Sequence, residues 1–211
     1  MENSTTKKPK IRAAIFASGK GTNAENLIRH AKDNPDFEIA AVICDQEGAG
    51  VIGRCAALGI PCHVVPFEKN RAQHEAAILE TLSPHDAEWI FLAGYMRILS
   101  PEFLAKFYDD GLGVNRIVNI HPSLLPWFKG RDAYRRAYES RVAESGVTVH
   151  FVDEGIDSGP IILQWDFPRQ TADTLETFTA RGMELEYKAY IKAVARILEK
   201  IDVQRKKEKY A

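Results

Sequence analysis

Apolar residues fall along the first two thirds of the chain in two alternating patterns. Short solid runs cover Ile11–Ala17, Phe37–Cys44, Pro61–Val65, Trp89–Ala93 and Arg116–Ile120. Each predicts a short strand buried in a sheet, the pattern of parallel strands covered on both faces. Between them, Asn23–Lys32, Gly50–Leu58 and Arg71–Leu82 predict helices; in the first, Leu27, Ile28 and Ala31 share a face. Gly59 follows the second as a C-terminal cap. Ser100-Pro101 ahead of Leu104 predicts another helix start, with Ser as cap and Pro at the first helical position. Strands alternating with helices at this spacing form βαβ units joined by right-handed crossovers. The fold class predicted is α/β: a Rossmann-like open, mostly parallel sheet with helices on both faces.

Past Arg131 the pattern changes. Asp132–Glu139 predicts a helix. Val147–Val152 and Pro160–Asp166 predict two strands joined by the loop Asp153–Gly159, a partly antiparallel C-terminal extension of the same sheet. Asp173, with Glu176 three residues on, predicts a capping box for a long helix through about Leu198. Leu175, Phe178, Leu185, Val194 and Ile201 fit one apolar stripe on it. The domain expectation is a disordered leader over residues 1–10, one domain over 11–200 and a solvated lysine-rich tail over 201–211.

Composition adds exclusions. Hydrophobic residues make up 45% of the 211 residues and charged residues 27%, the balance of a soluble globular domain. The net charge of -1 offers no global attraction for nucleic acid or an anionic membrane. An anion must therefore be held by local geometry. Cys44, Cys55 and Cys62 form no CxxC pair and are odd in number, so they are read as buried, reduced thiols. No apolar run is long enough to span a bilayer, and the polar N-terminus lacks a signal-peptide core. The cytoplasm is the expected compartment.

Three stretches carry candidate chemistry. Gly19-Lys20-Gly21-Thr22-Asn23-Ala24 lies between the first strand and the first helix, where backbone amides and the helix dipole suit a phosphate. A plain tight turn and a dinucleotide fingerprint, with Asp45 as ribose-binding acid, are the alternatives. A Walker loop is disfavoured, because Gly21 separates Lys20 from Thr22. Asn119 and His121, two apart on an extended backbone, point to one face at a strand end closed by Pro122. Together they suit a carbonyl becoming tetrahedral with a negative oxygen; a histidine that only caps the strand end is the alternative. The acidic loop 153–160 is either a solvated turn or the source of a carboxylate partner for His121, which would raise the imidazole pKa. His150 is a supporting residue or a core position. No His pair has metal-ligand spacing beside Cys or Asp, so no metal is expected.

With these residues in place, the chain resembles the phosphoribosylglycinamide formyltransferases of purine biosynthesis over Ile11 to about Leu198. The resemblance is carried by Ser18-Gly19-x-Gly21-Thr22-Asn23, Leu92-Ala93-Gly94-Tyr95-Met96-Arg97-Ile98-Leu99 and Asn119-Ile120-His121-Pro122-Ser123-Leu124-Leu125-Pro126. Thr148–Val152 and Asp157-Ser158-Gly159-Pro160-Ile161-Ile162 complete it. It implies the formyltransferase fold. It also implies transfer of a formyl group from 10-formyltetrahydrofolate, a co-substrate, to the amine of glycinamide ribonucleotide. By the same resemblance Asn119, His121 and Asp157 are catalytic. Gly21, Thr22, Asn23, Glu186 and Met183 bind the ribonucleotide. Arg71, Met96, Arg97, Ile98, Leu99, Asn119, Asp153, Glu154, Gly155, Ile156 and Asp157 bind the folate. The expected partners are these two small molecules, with no nucleic acid or membrane, in a monomer or weak homodimer. Three features depart from the family pattern: a longer segment at Tyr108–Asn115, Met183 where a polar residue is common, and Cys44-Asp45-Gln46 in place of a Ser-Asn type.

Related readings differ by what flanks this core. A formyltetrahydrofolate hydrolase adds an N-terminal domain, and a methionyl-tRNA formyltransferase adds a C-terminal RNA-binding domain. A nucleotide-binding dehydrogenase or sensor would use the glycine loop and Asp45 but leave Asn119, His121 and Asp157 unexplained.

Overall fold

The computed structural model describes residues 10–210, with side chains to 208. All but the last residue of the expected leader thus lies outside the described residues. Nine strands and six α-helices follow one another among them. β1 (Ile11–Ala17), β2 (Phe37–Cys44), β3 (Cys62–Val64), β4 (Trp89–Leu92), β7 (Ile117–His121), β8 (Glu144–Phe151) and β9 (Ile161–Pro168) form one sheet in the order β3-β2-β1-β4-β7-β8-β9. The first five run parallel; β8 is antiparallel to both β7 and β9. The mixed sheet predicted from the apolar pattern is the one observed.

Alternation along β1 divides the core. Ile11, Ala13 and Ile15 face a layer containing α1 (Thr22–Asp33), α2 (Gly50–Leu58) and α6 (Leu175–Tyr210). Ala14 and Phe16 face the opposite layer, built by α3 (Arg71–Leu82) and α4 (Pro101–Ala105). Ser100 caps α4, its hydroxyl accepting the Phe103 N–H at 3.1 Å. Gly59 closes α2 in the left-handed conformation, φ 70°. Cys44 and Cys55 are buried and Cys62 half-buried, all as free thiols.

The departures have local causes. Residues 108–115 contain a small hairpin, β5 (Tyr108–Asp109) paired with β6 (Val114–Asn115), which the apolar pattern does not mark. Its turn is held by polar atoms, with the Asp109 carboxylate accepting the Leu112 N–H at 2.9 Å. α5 (Ala133–Glu139) starts without a side-chain cap, Asp132 being left-handed. At the start of α6 the reciprocal cap is Thr174 with Thr177 rather than Asp173 with Glu176. Thr174 Oγ1 accepts the Thr177 N–H at 3.2 Å, and Thr177 Oγ1 accepts the Thr174 N–H at 3.0 Å. Asp173 is engaged elsewhere: it accepts the Gln170 N–H at 2.7 Å and two Arg181 bonds at 2.9 and 2.5 Å. α6 also continues to Tyr210, past the expected end near Leu198. Residues 199–210 contain no Gly or Pro to stop it and are rich in Lys, Arg, Glu and Gln, which favour helix.

β1 and β4 are where the strand order reverses, the usual position of a ligand crevice in such sheets. The glycine loop leaves β1 there, and the 94–99 turn leaves β4. The two are tied together: the Ser18 N–H donates to the Gly94 carbonyl at 3.1 Å, and the Met96 N–H donates to Ser18 Oγ at 2.9 Å. Gly21 precedes α1 with φ 75°, and a β-carbon on it would lie 2.6 Å from Val51 Cβ. Gly21→Ala therefore combines backbone strain with a clash. It is expected to cost about 2 kcal/mol or more, seen in a thermal melt as a Tm lowered by at least roughly 4 °C.

Candidate active site

β7 carries Asn119 and His121 toward the carboxyl end of the sheet, and His121 is buried. On the neighbouring β8, His150 pairs in register with Asn119. The loop after β8 turns back through Asp157, itself left-handed at φ 47°. These four side chains meet. Asp157 Oδ2 lies 3.2 Å from His121 Nδ1 and accepts the Gly130 N–H at 2.8 Å. Its Oδ1 accepts from the Asn119 amide at 3.3 Å and lies 3.6 Å from His150 Nε2.

Hydrogen-bond partners fix the tautomers. His121 Nε2 is 3.0 Å from the Phe128 carbonyl oxygen, which can only accept. The neutral ring therefore carries its hydrogen on Nε2, and Nδ1, beside Asp157, is where a proton can be taken up. His150 Nδ1 is likewise 2.8 Å from the Phe151 carbonyl, which leaves Nε2 to accept from Asn119 Nδ2 at 3.2 Å. Both amide hydrogens of Asn119 are thus occupied, one of them by a long bond to Asp157.

Burial and charge pull the two titrating groups apart. Burial lowers the His121 pKa and outweighs the opposite pull of Asp157. This reverses the expectation that a carboxylate neighbour raises it, because the ring lies deeper than a strand end suggests. Burial also works to raise the Asp157 pKa, but the polar groups around the carboxylate, the Gly130 N–H among them, bring it down to about 2. At neutral pH the pair is a neutral imidazole against an ionised carboxylate.

Two further features lie at the same end of the sheet. On one side, no side chain caps α1, so the first-turn amides after Gly21 have no side-chain partner. Asn23 reaches Glu186 there, donating to Oε2 at 2.6 Å, and Tyr134 donates to Oε1 at 2.7 Å. Burial raises the Glu186 pKa despite these two donors. Thr22 opens the helix, while Met183, one turn before Glu186, packs against the Tyr134–Phe178 cluster. On the other side is a cavity of about 260 Å³ whose lining includes Arg71, Met96, Arg97, Ile98 and Leu99. Met96 and Ile98 are more than half exposed at its rim. Residues 153–157 do not line this cavity. Asp153 shapes its own turn, accepting from the Gly155 N–H at 3.1 Å and Ser158 Oγ at 2.7 Å, while Glu154 and Ile156 are exposed.

Asp45 is not free to hold a ribose. It is buried and paired with Arg97 at 2.6 Å, whose guanidinium stacks 4.4 Å from the Phe67 ring centroid. Burial pushes its carboxyl up, but Ser18, Arg97 and Gln46 outweigh that and hold it below the usual range. The sequence reading missed the Phe128 carbonyl and the Gly130 amide, backbone groups that leave no residue-type signal. Tyr134 and Arg136 were missed for a different reason: on an amphipathic helix Tyr134 reads as core packing and Arg136 as a surface charge. Among the described residues, no group of three His, Cys, Asp or Glu side chains is placed to hold a metal ion. None of their helices is long and apolar enough to cross a membrane.

Comparison with known proteins gives this geometry a context. Residues 11–194 match the family model described as formyl transferase. Phosphoribosylglycinamide formyltransferase of Bacillus subtilis is 42% identical over 190 residues, which are 88% of this chain and 93% of that one. The human trifunctional purine biosynthetic protein adenosine-3 is 37% identical over 186 residues, 87% of this chain but only 18% of that protein. Among solved structures, phosphoribosylglycinamide formyltransferase from Bacillus halodurans superposes with a TM-score of 0.82 at 39% identity, covering 89% of this chain and 95% of that one. Glycinamide ribonucleotide transformylase 1 from Symbiobacterium toebii gives 0.85 at 35% identity, covering 94% and 92%. The sheet order, the convergent polar centre and these matches agree: the chain belongs to the formyltransferase family.

Proposed function

We propose that the chain transfers the formyl group of 10-formyltetrahydrofolate to the amine of glycinamide ribonucleotide, giving formylglycinamide ribonucleotide and tetrahydrofolate in de novo purine synthesis. The observation that carries this reading is the meeting of Asn119, His121 and Asp157 at the end of the sheet that also carries the uncapped start of α1 and a separate cavity. Such a centre can hold two substrates and stabilise charge without a covalent nucleophile. The first-turn amides of α1 would take the ribonucleotide phosphate, with Asn23 and Glu186 beside the sugar. Arg71 and residues 96–99 would line the folate pocket.

The amine, whose pKa is about 8 as a free α-amino group, attacks the formyl carbon. A carbon–nitrogen bond forms, and the carbonyl electron pair moves to oxygen. Asn119 Nδ2 is the donor for that oxygen, which takes over the hydrogen now shared at 3.3 Å with Asp157. The proton shed by the new ammonium is taken at His121 Nδ1, where ionised Asp157 stabilises the imidazolium. Cleavage of the bond to folate N10 then needs a proton on that nitrogen, and His121 returns it.

The test is a transfer assay with both substrates. Equal amounts of formylated ribonucleotide and tetrahydrofolate are expected. Formate released at the same rate without the amine would mean hydrolysis instead. A pH profile tests the proton step. His121 must begin neutral, and its pKa is below the ordinary imidazole value. The limb belonging to His121 is therefore expected below pH 6.5 or so, separate from the loss of free amine as its own pKa of about 8 is crossed. An NMR titration placing the His121 pKa above that value would remove His121 from the role.

A further inference from the structure

The His121–Asp157 pair rests on a strained turn. Phe128 (φ 54°), Gly130 (φ 79°) and Asp132 (φ 57°) are all left-handed within five residues. Two of these residues are not glycine, so the turn persists only where its surroundings over-determine it. It delivers two backbone groups to the catalytic pair. The Phe128 carbonyl accepts from His121 Nε2 at 3.0 Å, and the Gly130 N–H donates to Asp157 Oδ2 at 2.8 Å.

One side chain holds this turn from behind. Arg136, on the last turn of α5, donates through Nη2 to the Phe128 carbonyl at 2.6 Å and also to the Lys129 carbonyl. Its guanidinium lies 5.9 Å from the Phe128 ring centroid. The Nε–H is buried without a partner, a cost that an arginine placed only for solubility would not bear. Both bonds leave one nitrogen, Nη2, whose two hydrogens the rigid guanidinium plane aims at successive carbonyls, while a lysine ammonium sits on a shorter, rotating stem.

We propose that Arg136 is a positioning residue for formyl transfer: by clamping the Phe128 and Lys129 carbonyls it fixes the orientation of His121 and Asp157. The proposal rests on the transfer reading of the site. Arg136 acts through the turn and touches neither substrate. The charged and titratable groups facing His121 are Asp157 from the loop after β8, His150 from β8 and Arg136 from α5. Of these, Asp157 favours the imidazolium, while His150 and Arg136 oppose it. A cation at position 136 thus also helps keep the ring neutral.

The experiment compares Arg136→Gln and Arg136→Lys with wild type. It uses steady-state kinetics across pH and an NMR titration of His121 in the ligand-free protein. For Arg136→Gln, kcat is expected to fall about 10- to 100-fold, the scale of a misplaced catalytic group. KM for both substrates should stay within about twofold, a readout of positioning rather than contact. The His121 titration and the acid limb should both move upward. Arg136→Lys keeps the charge and loses the two-carbonyl clamp. Its titration should stay near wild type while kcat still falls. Wild-type kcat and titration in folded Arg136→Gln would overturn the proposal, as would a raised KM with kcat unmoved. If Arg136→Gln does not fold, undiminished kcat in Arg136→Lys overturns it. Absence of transfer by the wild-type enzyme would refute the function instead, and the His121 titration would still decide whether Arg136 acts on that ring.

Discussion

Asp157→Asn is expected to leave the protein folded and to lower kcat by about 100- to 10,000-fold, the range assigned to a positioned acid–base group. The amide can still accept the Gly130 N–H, so the loop keeps its anchor. What it loses is the negative charge 3.2 Å from His121 Nδ1. A proton arriving at that nitrogen would then face a neutral dipole, and the imidazolium would form at a higher energy. The same change removes a stabilising group. The carboxyl titrates at about 2 in the folded protein against about 3.9 in an unfolded chain, worth roughly 2.5 kcal/mol at neutral pH. Because the folded pKa is the lower one, this contribution is complete above the unfolded value and disappears as pH falls toward 2. Circular dichroism and melting should therefore show a native fold with a Tm lowered by less than roughly 10 °C. Activity within threefold of wild type would sink the role given to the carboxylate.

At Asn119 the effect should depend on chemistry more than size. Asn119→Ala deletes the donor proposed for the developing oxyanion and is expected to cost about 3 kcal/mol, or roughly 100- to 1,000-fold in kcat. Asn119→Asp keeps the shape but turns a donor into an acceptor. It also sets a second carboxylate where the amide now sits, 3.3 Å from Asp157. Like charges so close push one carboxyl pKa upward, so the ionised partner that His121 needs is compromised as well. Asn119→Asp is expected to be the slower enzyme of the two in single-turnover kinetics. If it outperforms Asn119→Ala, the amide hydrogen is not what matters there.

Much of the fold could be read from residues because local signals and tertiary demands agreed. β1, β2, α2 and α3 have the predicted bounds: their apolar runs fill buried strands or helix faces, and Gly59 stops α2 where a left-handed residue is needed. The cap of α6 was misread because Asp173 suits a cap as well as Thr174 does, and only the distant Arg181 decides between them. Asn119, His121 and Asp157 were legible as residue types at a strand end and in an acidic loop. Their protonation was not, since it depends on how deeply His121 is buried by elements far along the chain. The turn at 128–132 left no signal at all, because its contributions are carbonyl and amide groups that every sequence possesses.

The bond from Asn23 to Glu186 spans 163 positions and joins the glycine loop to the last helix. Closing so long a loop is entropically expensive, and contacts of this separation tend to be made late in folding. Tyr190, fully buried on the same helix, reaches the carbonyls of Leu92 and Val118 at 2.9 and 3.1 Å. The docking of α6 therefore satisfies two central strands and completes the cradle beside Gly21 in one event. The proposed ribonucleotide site therefore lacks Glu186 until α6 has docked. Capacity to bind that ligand is accordingly a report on the completeness of folding.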